Sequence, residues 1–557
     1  MNKFEKDFLI FPEYSEQKKS SRSSSTFAKW MLILKKALVA TSAAAKDALP
    51  AQIVHVIGGN GFYQKDLLLL TESLSKDDLS VFTIFNQIQS AAALISIYGT
   101  PEQKEKYLPR IAEFKCRPCI CLDDEQIIDS IETEILKPPG GKELRLNGIK
   151  TNVIGADAAD IFIVFAKQKV GDVETKRCVI LDREDLGGGA VDVQERIQTQ
   201  GLNAVHYSKV RFTNVLITET SDLGTDESVE DISNELAING KTFYGAAVVG
   251  SLKKLIAQLC DFANSRMEGN LRLADTHPVQ TALSELAVGV YVLESMVYYI
   301  GGLCDERLLL LNDLENSIIQ RYANRVLRKA INAICDIAGI TGANCEFQFE
   351  KMIRDIVTLI SSSESDLKLV RRISLPTMET YIHQHGDMLN LMKKFTFTKL
   401  LQGHLSWSEK FEKPRPSHFL AEHVHPSLAE SAVALENSMN RINHVIDRLV
   451  TDKGLFIKSD YVSLKSLATV MENNLGMVAS IARASRSYSI GLKNADDELA
   501  WTNFFCATAS KETENILREV INCGLGLVKL NPKLTGVGKA VLDARGYNLE
   551  SPVERNW

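Results

Sequence analysis

The stretch Arg354 to Val370 reads RDIVTLISSSESDLKLV. It opens on an Arg-Asp pair, runs through apolar residues, and closes on three serines followed by the acids Glu364 and Asp366. These residue types suit proton transfer. A carboxylate serves as a general base when a dry pocket raises its affinity for the proton. A serine hydroxyl is a poor base unless another base activates it. Ser363 alone therefore supplies no basic chemistry. Glu364 beside it has the right group, but successive residues on an ordered segment point in different directions. That places Glu364 on a solvated surface, a weak rescue candidate for the base.

Other constellations carry less. Cys116, Cys119 and Cys121 form C-x-x-C-x-C, part of a metal-ligand spacing, with no second pair and no nearby His. Strand alternation puts Cys119 and Cys121 on one face as packed thiols. His423 and His425 precede Pro426 without a third ligand and read as linker. Gly187, Gly188 and Gly189 are not followed by a helix, so they form a turn and not a phosphate loop. Arg483, Ser485, Arg486 and Ser487 read as a basic helix face, either solvated or docking to an acidic partner or a membrane surface. No metal site is expected.

The whole chain narrows the classes. Its 557 residues suffice for several domains and a large core. A net charge of -6 and a pI near 6.0 give no electrostatic case for nucleic acid. Ten cysteines in this length do not form a disulfide framework and point to a reducing compartment. No uninterrupted apolar run long enough to span a bilayer stands out. The start, MNKFEKDFLIFPEYSEQKK, carries acids early, unlike an Arg- and Ser-rich transit peptide.

The elements that must position these residues follow in order. Thr26 to Ala48 reads as an amphipathic helix, and Gly58 to Gly61 as a turn. Asp66 to Ser75 and Ser80 to Tyr98 read as helices, the second with Asp77 and Asp78 near its N-cap. Gly99 ends it, and Thr100-Pro101-Glu102 starts the next. From Cys116 to Phe212 the period becomes that of strands, at Cys119 to Leu122, Glu143 to Leu146, Ile161 to Ala166, Arg177 to Leu181 and Tyr207 to Phe212. Glu227 to Gly403 is helical again, with room for four helices. A Pro-rich linker at Lys413 to Pro416 precedes a last helical region from Pro426.

Several strings resemble one family. YGTPEQKEKYLPRIA (Tyr98 to Ala112), LNGIK, ADIFIVFAK and VRFTNVLI are similar to segments of the flavin-dependent acyl-CoA dehydrogenases. HPSLAESA (His425 to Ala432) and ARASRSYSIGLKNADDELAWTNFFC (Ala482 to Cys506) resemble the extra C-terminal domain of the very-long-chain branch, nearest to family member nine. The resemblance implies an α+β multidomain fold: an N-terminal helical domain, a middle β-barrel-like domain, a C-terminal four-helix bundle and an extra C-terminal helical domain. Its boundaries fall at 1–25 for a tail and linker, 26–115, 116–226, 227–403, 404–425 for a linker, and 426–557.

The resemblance also sets expectations for the site. In the family, the catalytic Glu follows the Arg-Asp pair, eight residues after the Asp. Counting from Arg354 and Asp355 lands on Ser363, so no catalytic residue is expected there. A second family placement of the base, just ahead of an Arg, falls on Gly240 and Lys241. The flavin-contacting CLTEP-x-x-GSD is CLDDEQIIDS here, with Asp123, Asp124 and Glu125 for Thr-Glu-Pro. K-x-W-I-T-N is KTNVIG, with Asn152 for the Trp and Ile154 and Gly155 for Thr-Asn. R-x-Q-F, which meets the partner subunit's FAD, keeps Arg266 but has Glu268 and Gly269. Q-x-x-GG-x-G keeps Gly339 and Gly342 but has Asp336 and Ile340. Arg266, Gly339 and Gly342 are thus vestigial cofactor residues, and FAD binding is doubtful.

Two readings follow. In the first, a catalytically impaired homologue acts as a mitochondrial scaffold in respiratory complex I assembly. It is a homodimer on the matrix side of the inner membrane, with peripheral contact through its C-terminal domain. In the second, an active FAD-dependent long-chain acyl-CoA dehydrogenase of fatty acid β-oxidation works with displaced residues.

Overall fold

The structure is a computed structural model. It describes residues 64–76, 78–113, 115–123, 133–137, 143–170, 173–186, 189–224, 232–233, 236, 240–241, 243–306, 313–392, 411–414, 418–453, 458, 460–524 and 530–551. The expected helix at Thr26 to Ala48, the turn at Gly58 to Gly61, and residues Asp124, Glu125, Gly187 and Gly188 lie outside the described residues. The chain divides into two compact units, one within 12–364 and the other holding 365–557.

Among the described residues, the first unit opens with three helices, α1 (Gln64–Ser75), α2 (Leu79–Tyr98) and α3 (Pro101–Ala112). Asp78 caps α2, accepting from the Ser80 N–H at 2.7 Å. Thr100 and Gln103 form a reciprocal capping box at the start of α3, with Pro101 in its first turn. These caps use the residues that the sequence offers as helix punctuation, with Gln103 closing the box behind Glu102.

Seven strands follow: β1 (Pro118–Cys121), β2 (Glu134–Leu136), β3 (Leu144–Ile154), β4 (Ile161–Val170), β5 (Val173–Asp182), β6 (Val191–Ile197) and β7 (Tyr207–Ile217). They form one mixed sheet in the order β1-β4-β2-β3-β7-β6, with β5 paired to β4. The described strands close no barrel. Along β4 the side chains alternate: Ile161, Ile163 and Phe165 pack toward α2 and α3, while Phe162, Val164 and Ala166 fill a second core. Both faces of the sheet are therefore buried at β4. Cys119 and Cys121 share the second core with sulfurs 3.9 Å apart, and Cys116 lies in the first. Strands β2 and β6 have no counterpart in the sequence reading, because neither is long with clean apolar alternation.

Among the described residues, four further helices belong to this unit: α4 (Tyr244–Ser265), α5 (His277–Asp305), α6 (Asp313–Ala338) and α7 (Gln348–Ser362). A two-stranded hairpin, β8 (Met267–Glu268) and β9 (Leu271–Arg272), follows α4. By length and composition α2 and α5 could cross a membrane, contrary to the sequence expectation, but most of α5's apolar window is buried in this protein. The second unit contains α8 (Asp366–Met392), α9 (Ala429–Lys453), α10 (Tyr461–Ser489), α11 (Ala495–Gly524) and α12 (Leu530–Asp543).

The sheet is fastened to α7 by the loop before β7. The Gly201 N–H donates to Thr358 Oγ1 at 2.8 Å, and the Leu202 N–H to the buried Asp355 carboxylate at 2.7 Å. Arg354 donates to the Gln200 carbonyl at 3.0 Å. Lys351 ties Asp355 at 2.6 Å to Asp78, the α2 cap, at 3.0 Å. The Arg-Asp pair of the sequence is thus a docking device. Gly201 approaches so closely that a Cβ there would lie 2.3 Å from the Arg354 carbonyl.

Gly201→Ala should therefore cost about 2 kcal/mol or more by forcing the loop off α7. Thermal unfolding should show a clearly lower midpoint than Gly536→Ala, whose Cβ would meet nothing; equal midpoints would remove this role from the loop. Burial also pushes the Cys116 and Cys506 thiols up to about 12, so both stay protonated and unreactive at pH 8. Alkylation at that pH, mapped by peptide mass, should label the exposed Cys335 and Cys345 first and spare Cys116 and Cys506 until the protein unfolds.

Candidate functional site

Helix α7 buries Phe349, Ile356 and Leu359, and it ends where its serines begin. Serine hydroxyls compete for backbone carbonyls and weaken a helix. Here Ser361 donates to the Val357 carbonyl at 2.8 Å, Ser362 to Leu359 at 3.2 Å and Ser363 to Ile360 at 2.8 Å. At Ser363 the backbone becomes extended, with φ -83 and ψ 171. The hydroxyl at the expected base position is thereby committed to ending the helix.

Three consecutive residues at this end then face three elements. Ser362 lies toward Tyr207 at the start of β7. Ser363 lies toward Tyr244 at the start of α4. Glu364 turns inward, with Oε2 2.9 Å from Lys241 Nζ. The Lys241 side chain is only 4% exposed and that of Glu364 15%. The expectation that Glu364 is solvated surface is therefore corrected. It assumed a regular segment, and the extended Ser363 redirects the next side chain.

Lys241 is held on three sides. Its Nζ is 3.0 Å from Asp313 Oδ1 and donates to Ser317 Oγ at 3.1 Å, besides pairing with Glu364. A buried cation needs such compensation. Tyr244, wholly buried, donates its hydroxyl to Asn324 Oδ1 at 2.6 Å, and burial holds its phenol well above the ordinary tyrosine range. Burial pushes the Tyr207 phenol up as well. Its hydroxyl lies toward Ser362 yet completes no hydrogen bond among the described residues. The two base placements counted from the sequence thus converge in space. Gly240, beside Lys241, has open room where a Cβ would be. Tyr207, Tyr244 and Asn324 escaped the sequence reading. The one signal for this surround was a polar stripe, Asp313, Ser317, Gln320 and Asn324, at helical spacing.

The other cofactor candidates lie elsewhere on the same helices. Arg266 follows the last residue of α4, roughly 30 Å along the helix from Tyr244, exposed and over the Phe262 ring. Gly339, with φ 52, opens the turn after α6, and Gly342 is buried within it. Asp336 is exposed on the last turn of α6. On β3, Asn152 is exposed with φ 54, and Lys150 reaches the Leu122 carbonyl at 3.0 Å. Thr151 donates its N–H to the Asp123 carbonyl at 2.8 Å. In the second unit, Arg483 and Ser487 bond the same carboxylate, Glu498, at 3.2 and 2.5 Å, so these two residues of the expected basic face are internally paired. His425 accepts from the Ser427 N–H at 3.3 Å and stacks on Tyr488 at 4.0 Å.

Comparison with known proteins accounts for this layout. Residues 33–115 match the acyl-CoA dehydrogenase N-terminal domain, 239–359 its C-terminal domain, and 426–547 the ACAD9/ACADV C-terminal domain. The very long-chain specific acyl-CoA dehydrogenase of mouse mitochondria is 26% identical over 83% of this chain and 72% of its own. The human protein is 26% identical over 91% of this chain and 78% of its own. A solved acyl-CoA dehydrogenase complexed with FAD, from Bacillus anthracis, superposes with a TM-score of 0.72 at 19% identity. It covers 98% of this chain and 99% of its own. Butyryl-CoA dehydrogenase from Megasphaera elsdenii gives a TM-score of 0.55 at 19% identity, over 68% of this chain and 99% of its own.

The doubt over FAD drawn from the sequence is corrected by that structural match, since the fold that superposes end to end is one solved with FAD bound. The residues present also fit such a group. Ile154, at the end of the flavin-motif strand, pairs directly with Tyr207, whose buried hydroxyl lacks a partner among the described residues. Main chain at Cys121–Asp123 and Lys150–Ile154, with Tyr207, would hold the ring, while Asn152 supplies no aromatic stack. The chain belongs to the acyl-CoA dehydrogenase family.

Proposed function

We propose that this protein is an FAD-dependent acyl-CoA dehydrogenase of the mitochondrion, acting on long acyl chains, with Glu364 as its general base. The observation that carries this reading is the inward turn of Glu364, where its carboxylate meets Lys241 at 2.9 Å. FAD, when bound, supplies the acceptor for the hydride that leaves the β-carbon. Glu364 takes the proton from the α-carbon, and the electron pair of that bond completes the new double bond. Lys241 fixes the carboxylate's orientation, and Asp313 and Ser317 fix Lys241. Tyr244 and Asn324 wall off water beside Ser363.

A homodimer accords with exposed apolar side chains around Arg266 and Gly339. Met267 and Leu271 lie on the β8–β9 hairpin, and Ile340 is 88% exposed. The non-catalytic scaffold is the second reading, and the observation on its side is that Lys241 already neutralises Glu364.

The test is anaerobic reduction of the FAD-loaded protein by palmitoyl-CoA, followed by flavin absorbance. Wild type should bleach, and Glu364→Gln should retain flavin but slow bleaching by about a hundredfold or more. Bleaching that survives Glu364→Gln would remove the base assignment. A wild type that binds flavin without bleaching would restore the scaffold reading. Lys241→Met strips a buried cation from two acids and should cost about 3 kcal/mol of stability, read as a lowered urea midpoint. An unchanged midpoint would show that the ion pair holds nothing.

A further inference from the structure

Helix α6 presents more buried polarity than holding Lys241 requires. Asp313, Ser317, Gln320 and Asn324 follow at spacings of four, three and four, so they share one face. Asp313 and Ser317 contact Lys241, and Asn324 accepts from Tyr244. Gln320 sits between them, one turn from each. It is 3% exposed, and its Oε1 is buried with no hydrogen-bond partner among the described residues. A buried acceptor left unpaired is destabilising.

An alkyl chain passing this residue would leave that cost in place. A hydroxyl would remove it. Resting on the reading of Glu364 as the base, we infer that the acyl thioester processed here carries a hydroxyl beyond its β-carbon, whose O–H donates to Gln320 Oε1. Gln320 lies one helical turn, about 5.4 Å along α6, from Ser317, which contacts Lys241, the partner of Glu364. Glu364 must meet the α-carbon, so the chain beyond the β-carbon is the part that would run along this face of α6. The β-carbon itself stays unsubstituted, as loss of its hydride requires. Sites built to bond a substrate hydroxyl discriminate strongly against the chain that lacks it, because their own polar group is then stranded.

The experiment uses the FAD-loaded Glu364→Gln protein, which binds without turnover, and compares hexadecanoyl-CoA with its γ-, δ- and ε-hydroxy derivatives by calorimetry. One hydroxy isomer should bind at least about tenfold tighter than the plain chain. Gln320→Leu in the same background should cancel that preference and tighten the plain chain. Equal affinities, tighter binding of the plain chain, or a preference that survives Gln320→Leu would each overturn the inference. Should Gln320→Leu fail to fold, the ratio measured with Gln320 in place still decides. The wild-type protein separates the two claims. Equal bleaching by both substrates sustains the dehydrogenase and removes the hydroxyl. A hydroxyl preference in binding, with no bleaching by either, removes the base and keeps the preference.

Discussion

The contact between Gly201 and α7 is the constraint on which the site depends. The sheet and the helices meet there through backbone atoms, with a Cβ at Gly201 excluded by the Arg354 carbonyl. Two N–H groups of one loop find Thr358 and Asp355, and Lys351 carries the link on to the α2 cap. The two N–H bonds lie away from bulk water and are worth more there than at a surface. They fix the axial position of α7, and hence where its serines end it. The direction of Glu364 follows from that ending.

The second constraint is electrostatic. A buried lysine is tolerated only with nearby anions, and Lys241 has two. The arrangement joins α6, the lead into α4 and the end of α7 through one ammonium group. It also pins the carboxylate that proton abstraction would use, so orientation is set before substrate arrives. The cluster is buried, whereas the motif departures at Glu268, Gly269, Asp336 and Ile340 fall on exposed positions, so change there can coexist with an ordered interior.

Much of the fold was legible because local signals agree with tertiary burial. The Thr100-Pro101 start of α3, the Asp78 cap and the alternation along β4 each carry a short-range cause. Strands β2 and β6 were not legible, since a three-residue strand and a strand of half-buried polar residues owe their state to neighbours. At the site, counting from Arg354 and Asp355 led to the end of α7, while the inward direction of Glu364 was not legible. Sequence spacing is rigid only along a regular helix, and three serines bonding back to carbonyls end that regularity one residue before Glu364.

The central claim is that Glu364, and not Ser363, takes the substrate's α-proton. It is tested most directly by following α-hydrogen exchange from acyl-CoA into D2O on the FAD-loaded protein, using an acyl chain that cannot be desaturated. The account predicts exchange in wild type and in Ser363→Ala, and its loss in Glu364→Gln. Exchange that persists in Glu364→Gln, or that vanishes in Ser363→Ala while the protein stays folded and flavin-bound, would contradict it.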